Sequence, residues 1–179
     1  MILAEATPQR VKVVTWEDPR PCAREARRMS GVEFYGQMRK GAIPEPPFGK
    51  LLGMDMAEWS EGRFTMTFEP HEVHYNPMGC VHGGILSTLL DSVMSAAVHT
   101  ALPAGKGYLT VEIKVNFLRP VLQGSGQIAA EGTLIHLDGE TATAEGRLVD
   151  IKGRLCATGT AICRVFDNFY AQQRTPALN

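Results

Sequence analysis

The run from residue 85 to residue 100 contains neither Gly nor Pro, opens on His82-Gly83-Gly84, and is the only stretch long enough for an extended helix. The segments around it read as strand. Upstream, LLGMDMAEW and RFTMTFEP alternate with period two about a Glu61-Gly62 turn, which predicts a hairpin starting near Lys50. Downstream, residues 108–117 alternate most cleanly, with Leu109, Val111, Ile113, Val115 and Phe117 on one face and Thr110, Glu112, Lys114 and Asn116 on the other. Residues 127–137, 141–151 and 154–166 follow about turns at Asp138-Gly139 and Lys152-Gly153, an antiparallel meander. One long helix among six strands has to be covered by a sheet curled around it, an α+β fold.

Ser30 with Glu33 three residues on is a capping-box pattern that opens a short helix through Arg39, stopping at Gly41 before the Pro-rich IPEPPFG. Residues 1–29 mix Pro, Arg and Glu without periodicity and read as an arm or short helix on the surface, poorly ordered or docked on a neighbour. Residues 30–167 are expected to form the domain, and residues 168–179 a frayed tail. A chain of 179 residues can bury roughly 70% of its unfolded surface in one core. Its 18 basic and 19 acidic residues leave a net charge of −1, without the long-range attraction of a nucleic-acid or anionic-membrane binder. The cysteines Cys22, Cys80, Cys156 and Cys163 form no CxxC, and MILAEATPQR lacks the pattern of a secretory signal, so a reduced, cytoplasmic setting is expected. Residues 85–102 are interrupted by Ser87, Thr88, Asp91, Ser92, Ser95, His99 and Thr100, too polar for a membrane span.

On a helical wheel Ile85, Leu86, Leu89, Leu90, Val93, Met94, Ala96 and Ala97 fill a broad apolar arc. The opposite arc carries Gly84, Ser87, Thr88, Asp91, Ser92, Ser95 and His99, and is expected to face water, a site or another chain. A carboxylate at Asp91 is exposed, hydrogen-bonded or functional, because an unpaired buried charge costs several kcal/mol. The segment from Asn76 through His82-Gly83-Gly84 places hydrogen-bonding groups at the helix entrance, where unpaired N–H groups and the helix dipole favour negative charge. Such an entrance suits an oxyanion hole, although a Gly pair also serves simply to start a helix close against a strand. His82 and Asp91 are nine positions apart, roughly 13 Å of rise and about half a turn. One helix cannot bring both to a single carbonyl. If they serve one substrate, the entrance comes from one subunit and the carboxylate from the other, and a two-fold dimer supplies two such sites.

These residues resemble the hotdog-fold acyl-CoA thioesterases of the phenylacetate-pathway (PaaI-type) family. The matching stretches are PEPPFGKLLGM, Asn76-x-x-Gly79-x-x-His82-Gly83-Gly84, Leu90-Asp91, Thr110-Val111-Glu112 and Phe117-Leu118-Arg119-Pro120, in order over about residues 31–166. The resemblance implies a long central helix wrapped by a curved six-stranded antiparallel sheet, dimerised edge to edge, with pairing into a tetramer left open. It implies hydrolysis of an acyl-CoA thioester with Asp91 as base or nucleophile. It also implies that the Gly83 N–H holds the oxyanion, Asn76 orients the thioester or the water, His82 supports that loop, and Thr110 hydrogen-bonds the water or Asp91. Asn76, His82 and Gly83 would come from one chain and Asp91 and Thr110 from the other. His82 as a loop-fixing residue and Thr110 as an ordinary strand residue are the plainer alternatives.

No cofactor is expected beyond coenzyme A as part of the substrate, because a thiolate leaves without a strong general acid. His71-Glu72-Val73-His74 lacks the helical spacing of HExxH, so no metal is expected. Cys80 reads as packing rather than as a nucleophile. Lys114 and Arg119 are candidates for the coenzyme A phosphates or solvated edge residues, and Met54, Met56, Met78 and Met94 for an adaptable pocket or ordinary core. The alternative functions are a non-catalytic acyl-CoA-binding module and a hydratase or dehydratase on the same scaffold.

Overall fold

The computed structural model of the chain describes residues 9–26 and 28–167. The tail expected at 168–179 and the first eight residues of the arm lie outside them. The elements run α1 (Arg20–Glu25), α2 (Gly31–Arg39), α3 (Pro47–Leu52), β1 (Met54–Ser60), β2 (Arg63–Phe68), α4 (Gly83–Thr100), β3 (Lys106–Phe117), β4 (Ile128–Asp138), β5 (Thr141–Val149) and β6 (Leu155–Asp167). The strands form one antiparallel sheet in the order β1-β2-β4-β5-β6-β3, and α4 packs against all six. This is the expected wrapped helix.

α4 can lie close to the sheet because of three glycines. Gly132 on β4, Gly146 on β5 and Gly159 on β6 are successive cross-strand partners, a row without side chains beneath Val93 and Met94. A Cβ on Gly132 would sit 2.1 Å from the Val93 carbonyl oxygen, and one on Gly146 2.9 Å from Met94 Cγ. With the helix seated there, Leu89, Leu90, Val93, Met94 and Ala97 are wholly buried. Each of the larger side chains contributes about 1.5–3 kcal/mol by leaving water.

α2 opens as its sequence predicts: Ser30 Oγ accepts from the Glu33 N–H, and a Glu33 carboxylate oxygen accepts from the Ser30 N–H at 3.0 Å. Residues 50–53, expected to begin the first strand, instead complete α3. Pro47 occupies its first turn and Gly53 ends it in the left-handed conformation. That end chemistry outweighs a few residues of alternation, and the strand begins at Met54.

The polar stripe of α4 finds one of the surroundings expected of it, a cavity within the chain. Its C-terminal half, Ser95 and His99, is buried against α2 of the same chain. His99 Nδ1 lies 3.3 Å from the Tyr35 hydroxyl, among the rings of Phe34, Tyr35 and Tyr108. α2 docks there because Gly31 has no side chain; a Cβ would fall 1.9 Å from the His99 carbonyl oxygen. The arm likewise reaches the core, since Ala26 at the end of α1 is buried with it.

β3 is an edge strand, paired only with β6. The register slips between Thr110 and Glu112, and Leu109, Val111, Ile113 and Phe117 are between 39% and 58% exposed. The cleanest alternation in the sequence therefore marks an apolar face that one copy of the chain leaves uncovered.

Candidate active site

Asp91 from α4 and Thr110 from β3 line a single cavity of about 660 Å³, bounded also by α1, α2, the segment before and through the start of α3, β1 and β2. Asp91 Oδ1 is buried there and accepts no hydrogen bond from the described residues. A buried unpaired acceptor costs about 1–3 kcal/mol, more when charged, so a fold retains one only where something else uses it. Cys163 on β6 stands beside the pair, its Sγ 3.8 Å from Thr110 Oγ1. Burial is the main cause that pushes the Cys163 thiol up; the Thr110 contact opposes it and the Asp91 charge adds to it. The thiol stays protonated and inert.

The α4 entrance is a second cluster. His82 is the N-cap, and its Nδ1 accepts from the Gly84 N–H at 2.9 Å, which places any proton of the neutral ring on Nε2. The Ile85 and Leu86 N–H groups turn to the His82 carbonyl, leaving the Gly83 N–H with no partner among the described residues. His82 is itself fixed by donation from its N–H to the His74 carbonyl at 2.8 Å. Asn76 holds the preceding loop: its Oδ1 accepts from Met78 N–H at 2.9 Å and from Cys80 N–H at 3.4 Å, and its Nδ2 faces Cys80 Sγ. The Phe117 ring rests over Gly83, close enough that a Cβ there would meet Cζ at 3.0 Å.

The five sequence-derived residues thus fall into two groups. Asp91 and Thr110 share the cavity; Asn76, His82 and Gly83 surround the helix entrance and do not line it. Eight positions of unbroken helix, about 12 Å of rise, separate Gly83 from Asp91. Within one chain the donor and the carboxylate do not meet.

Of the other candidates, Met54 and Met56 line the cavity, Met94 packs on the glycine row, and Met78 is exposed in the entrance loop. Met38, Met66, Phe34 and Tyr35 line it too, and so do α1 residues. Sequence reasoning did not place these, because their spacing shows ordinary core faces and nothing local ties them to Asp91. Lys114 and Arg119 are exposed. His74 is buried against Phe68, with Nδ1 accepting from the His71 N–H and Nε2 without a partner among the described residues. Burial, with the charges of Lys12 and His71, pushes its pKa down. Among the described residues no three His, Cys, Asp or Glu side chains converge as a metal site, and no helix is long and apolar enough to cross a membrane.

The chain resembles known proteins over the same elements. The thioesterase superfamily model matches residues 78–157, from the entrance loop through α4 into β6. A Pasteurella multocida protein that goes by the name of an esterase is 35% identical over 105 residues, which cover 59% of this chain and 74% of the relative. A phenylacetic acid degradation-related protein of Ralstonia eutropha superposes with a TM-score of 0.67 at 27% identity, over 73% of this chain and 98% of that one. A Streptococcus mutans protein whose crystal structure holds acetyl CoA superposes with a TM-score of 0.59 at 21% identity, over 64% and 89%, a likeness of fold. With the sheet order, the wrapped helix and these matches in agreement, the chain belongs to the thioesterase superfamily and has its hotdog fold.

Proposed function

We propose that the chain hydrolyses an acyl-CoA thioester to the free acid and coenzyme A, at a site made by two copies of the chain. The observation that carries this reading is the buried Asp91 oxygen that has no partner among the described residues, set in a cavity that the helix entrance does not line, while a Gly83 N–H equally without a described partner lies about 12 Å along the same helix. Two antiparallel copies of α4 satisfy both groups at once. The uncovered apolar edge of β3 supports the pairing, since a free strand edge with exposed Leu109, Val111 and Ile113 calls for a partner. The Streptococcus mutans neighbour with bound acetyl CoA supports the substrate class.

In this reading Gly83 of the partner subunit donates to the thioester oxygen and holds the charge that develops on it. Asp91 takes the proton of an attacking water, with Thr110 placed to orient that water, and collapse of the tetrahedral adduct expels the thiolate, which then takes up a proton. Alternatively the Asp91 carboxylate adds directly, expels the thiolate and leaves an anhydride that water opens. Asn76 and His82 act by holding the loop and the helix start. The reaction needs no metal or organic cofactor beyond the coenzyme A of its substrate.

Thiol release from a panel of acyl-CoAs tests the proposal. Asp91→Asn is expected to abolish turnover while keeping or slightly raising the thermal midpoint, because it removes an unpaired buried acceptor charge rather than a structural bond. Turnover by Asp91→Asn at the rate of the parent would overturn the assignment. Tight binding without turnover by the parent would make the chain a binding module instead.

A further inference from the structure

The cavity does not end at Asp91. It follows one side of α4 past Ser95 to His99, i, i+4 and i+8 positions that span about 12 Å. Among the described residues no Lys or Arg lines it, and the acidic side chains in its lining are Asp91 and Glu45. An acyl group with a second carboxylate would meet the negative charge of those two side chains there. Most of its other lining is apolar, with four flexible methionines, Met38, Met54, Met56 and Met66, that accommodate a chain rather than a rigid outline.

One wall comes from α1. Pro19, Cys22, Ala23 and Ala26 face the same space as Asp91, and Ala26 stands five residues before Gly31, which abuts the His99 carbonyl. This wall belongs to the segment ahead of the 78–157 stretch shared with the superfamily. It is built of small side chains, which is how a pocket keeps depth. We infer that the cavity receives an uncharged, chain-like acyl group of about eight to twelve carbons, the length of two helical turns, and that α1 sets this length, with Cys22 and Ala23 as the stop. This rests on the hydrolase reading above.

Single methylenes in an apolar pocket change specificity by about 10- to 200-fold, so the stop should be visible in a chain-length series. The test measures kcat/KM for straight-chain acyl-CoAs from two to sixteen carbons. Cys22→Trp, and Ala23→Phe at the more exposed position, are expected to lower kcat/KM for decanoyl-CoA at least tenfold more than for acetyl- and butyryl-CoA. A uniform loss at all lengths, or an unchanged profile, overturns the inference. A second measurement uses the unaltered protein: modification of Cys22 by N-ethylmaleimide, located by peptide mass, should slow about tenfold with the thioether S-decyl-CoA and not with coenzyme A. Equal rates with both would also overturn it. If the unaltered protein cleaves no acyl-CoA, the hydrolase reading fails, and the Cys22 protection still decides whether an acyl chain lies against α1.

Discussion

Gly83→Pro is the most selective perturbation the structure offers. Residue 83 is the first of α4, where proline's fixed φ is helical and its missing N–H breaks no intrahelical bond. The preceding His82 already has φ −59° and ψ 135°, the extended conformation that a following proline requires. The Gly83 N–H has no partner among the described residues, so its removal deletes one donor without breaking a described bond. The added carbon would come 3.0 Å from Phe117 Cζ, but Phe117 is 54% exposed and its ring can turn aside. Gly83→Ala adds the Cβ and keeps the N–H, so the ratio of the two variants reports the loss of the donor together with the ring methylenes that take its place. If that N–H holds the oxyanion, proline relative to alanine should lose about 10²–10³ in kcat, or about 3–4 kcal/mol, with KM little altered. Thiol release at saturating acyl-CoA reads the ratio, and thermal midpoints within a few degrees show that both variants fold. Equal kcat for the two would refute the reasoning.

Further expectations concern the frame around the site. Burial pushes His99 down to about 4 from its usual 6.5, so the fold holds the ring neutral. The unfolded chain then binds this proton at higher pH than the folded one, and stability is full above about pH 6.5 and falls by about 3 kcal/mol as the pH drops to 4. Urea midpoints at pH 7 and 4.5 should show the fall, and His99→Gln should remove much of it. Gly132→Ala should cost about 3 kcal/mol or more, because its Cβ meets the α4 backbone rather than a movable side chain. Gly124→Ala, with nothing within 4 Å, should be close to neutral on the same denaturation curves.

The reach of the sequence can be judged from individual residues. The capping box at Ser30, the meander turns at Gly139 and Gly153, and the start of α4 at Gly83 are local chemistry, and the structure has them where the spacing puts them. The hotdog fold follows from their order. Non-local features were hidden. Nothing near Gly132, Gly146 or Gly159 in sequence shows that they form one row under α4, since only the register aligns them. The burial of His99 depends on α2 folding back over the helix, and the wall from Cys22 to Ala26 depends on the arm joining the core. The two halves of the candidate site were legible because the helical rise alone holds Gly83 and Asp91 apart. The acyl cavity was not, because its lining is drawn from seven elements and from loops that share no motif.

The composite site is tested most directly by mixing two inactive chains, Gly83→Pro and Asp91→Asn, under conditions that let subunits exchange. Each mixed dimer would then hold one site with both defects and one with neither. Random pairing is expected to restore about a quarter of the parent's thiol-release activity, as two-fold symmetry requires. A mixture that exchanges subunits, shown by mass, and yet stays inactive would mean that the Gly83 donor and the Asp91 carboxylate do not act on one thioester.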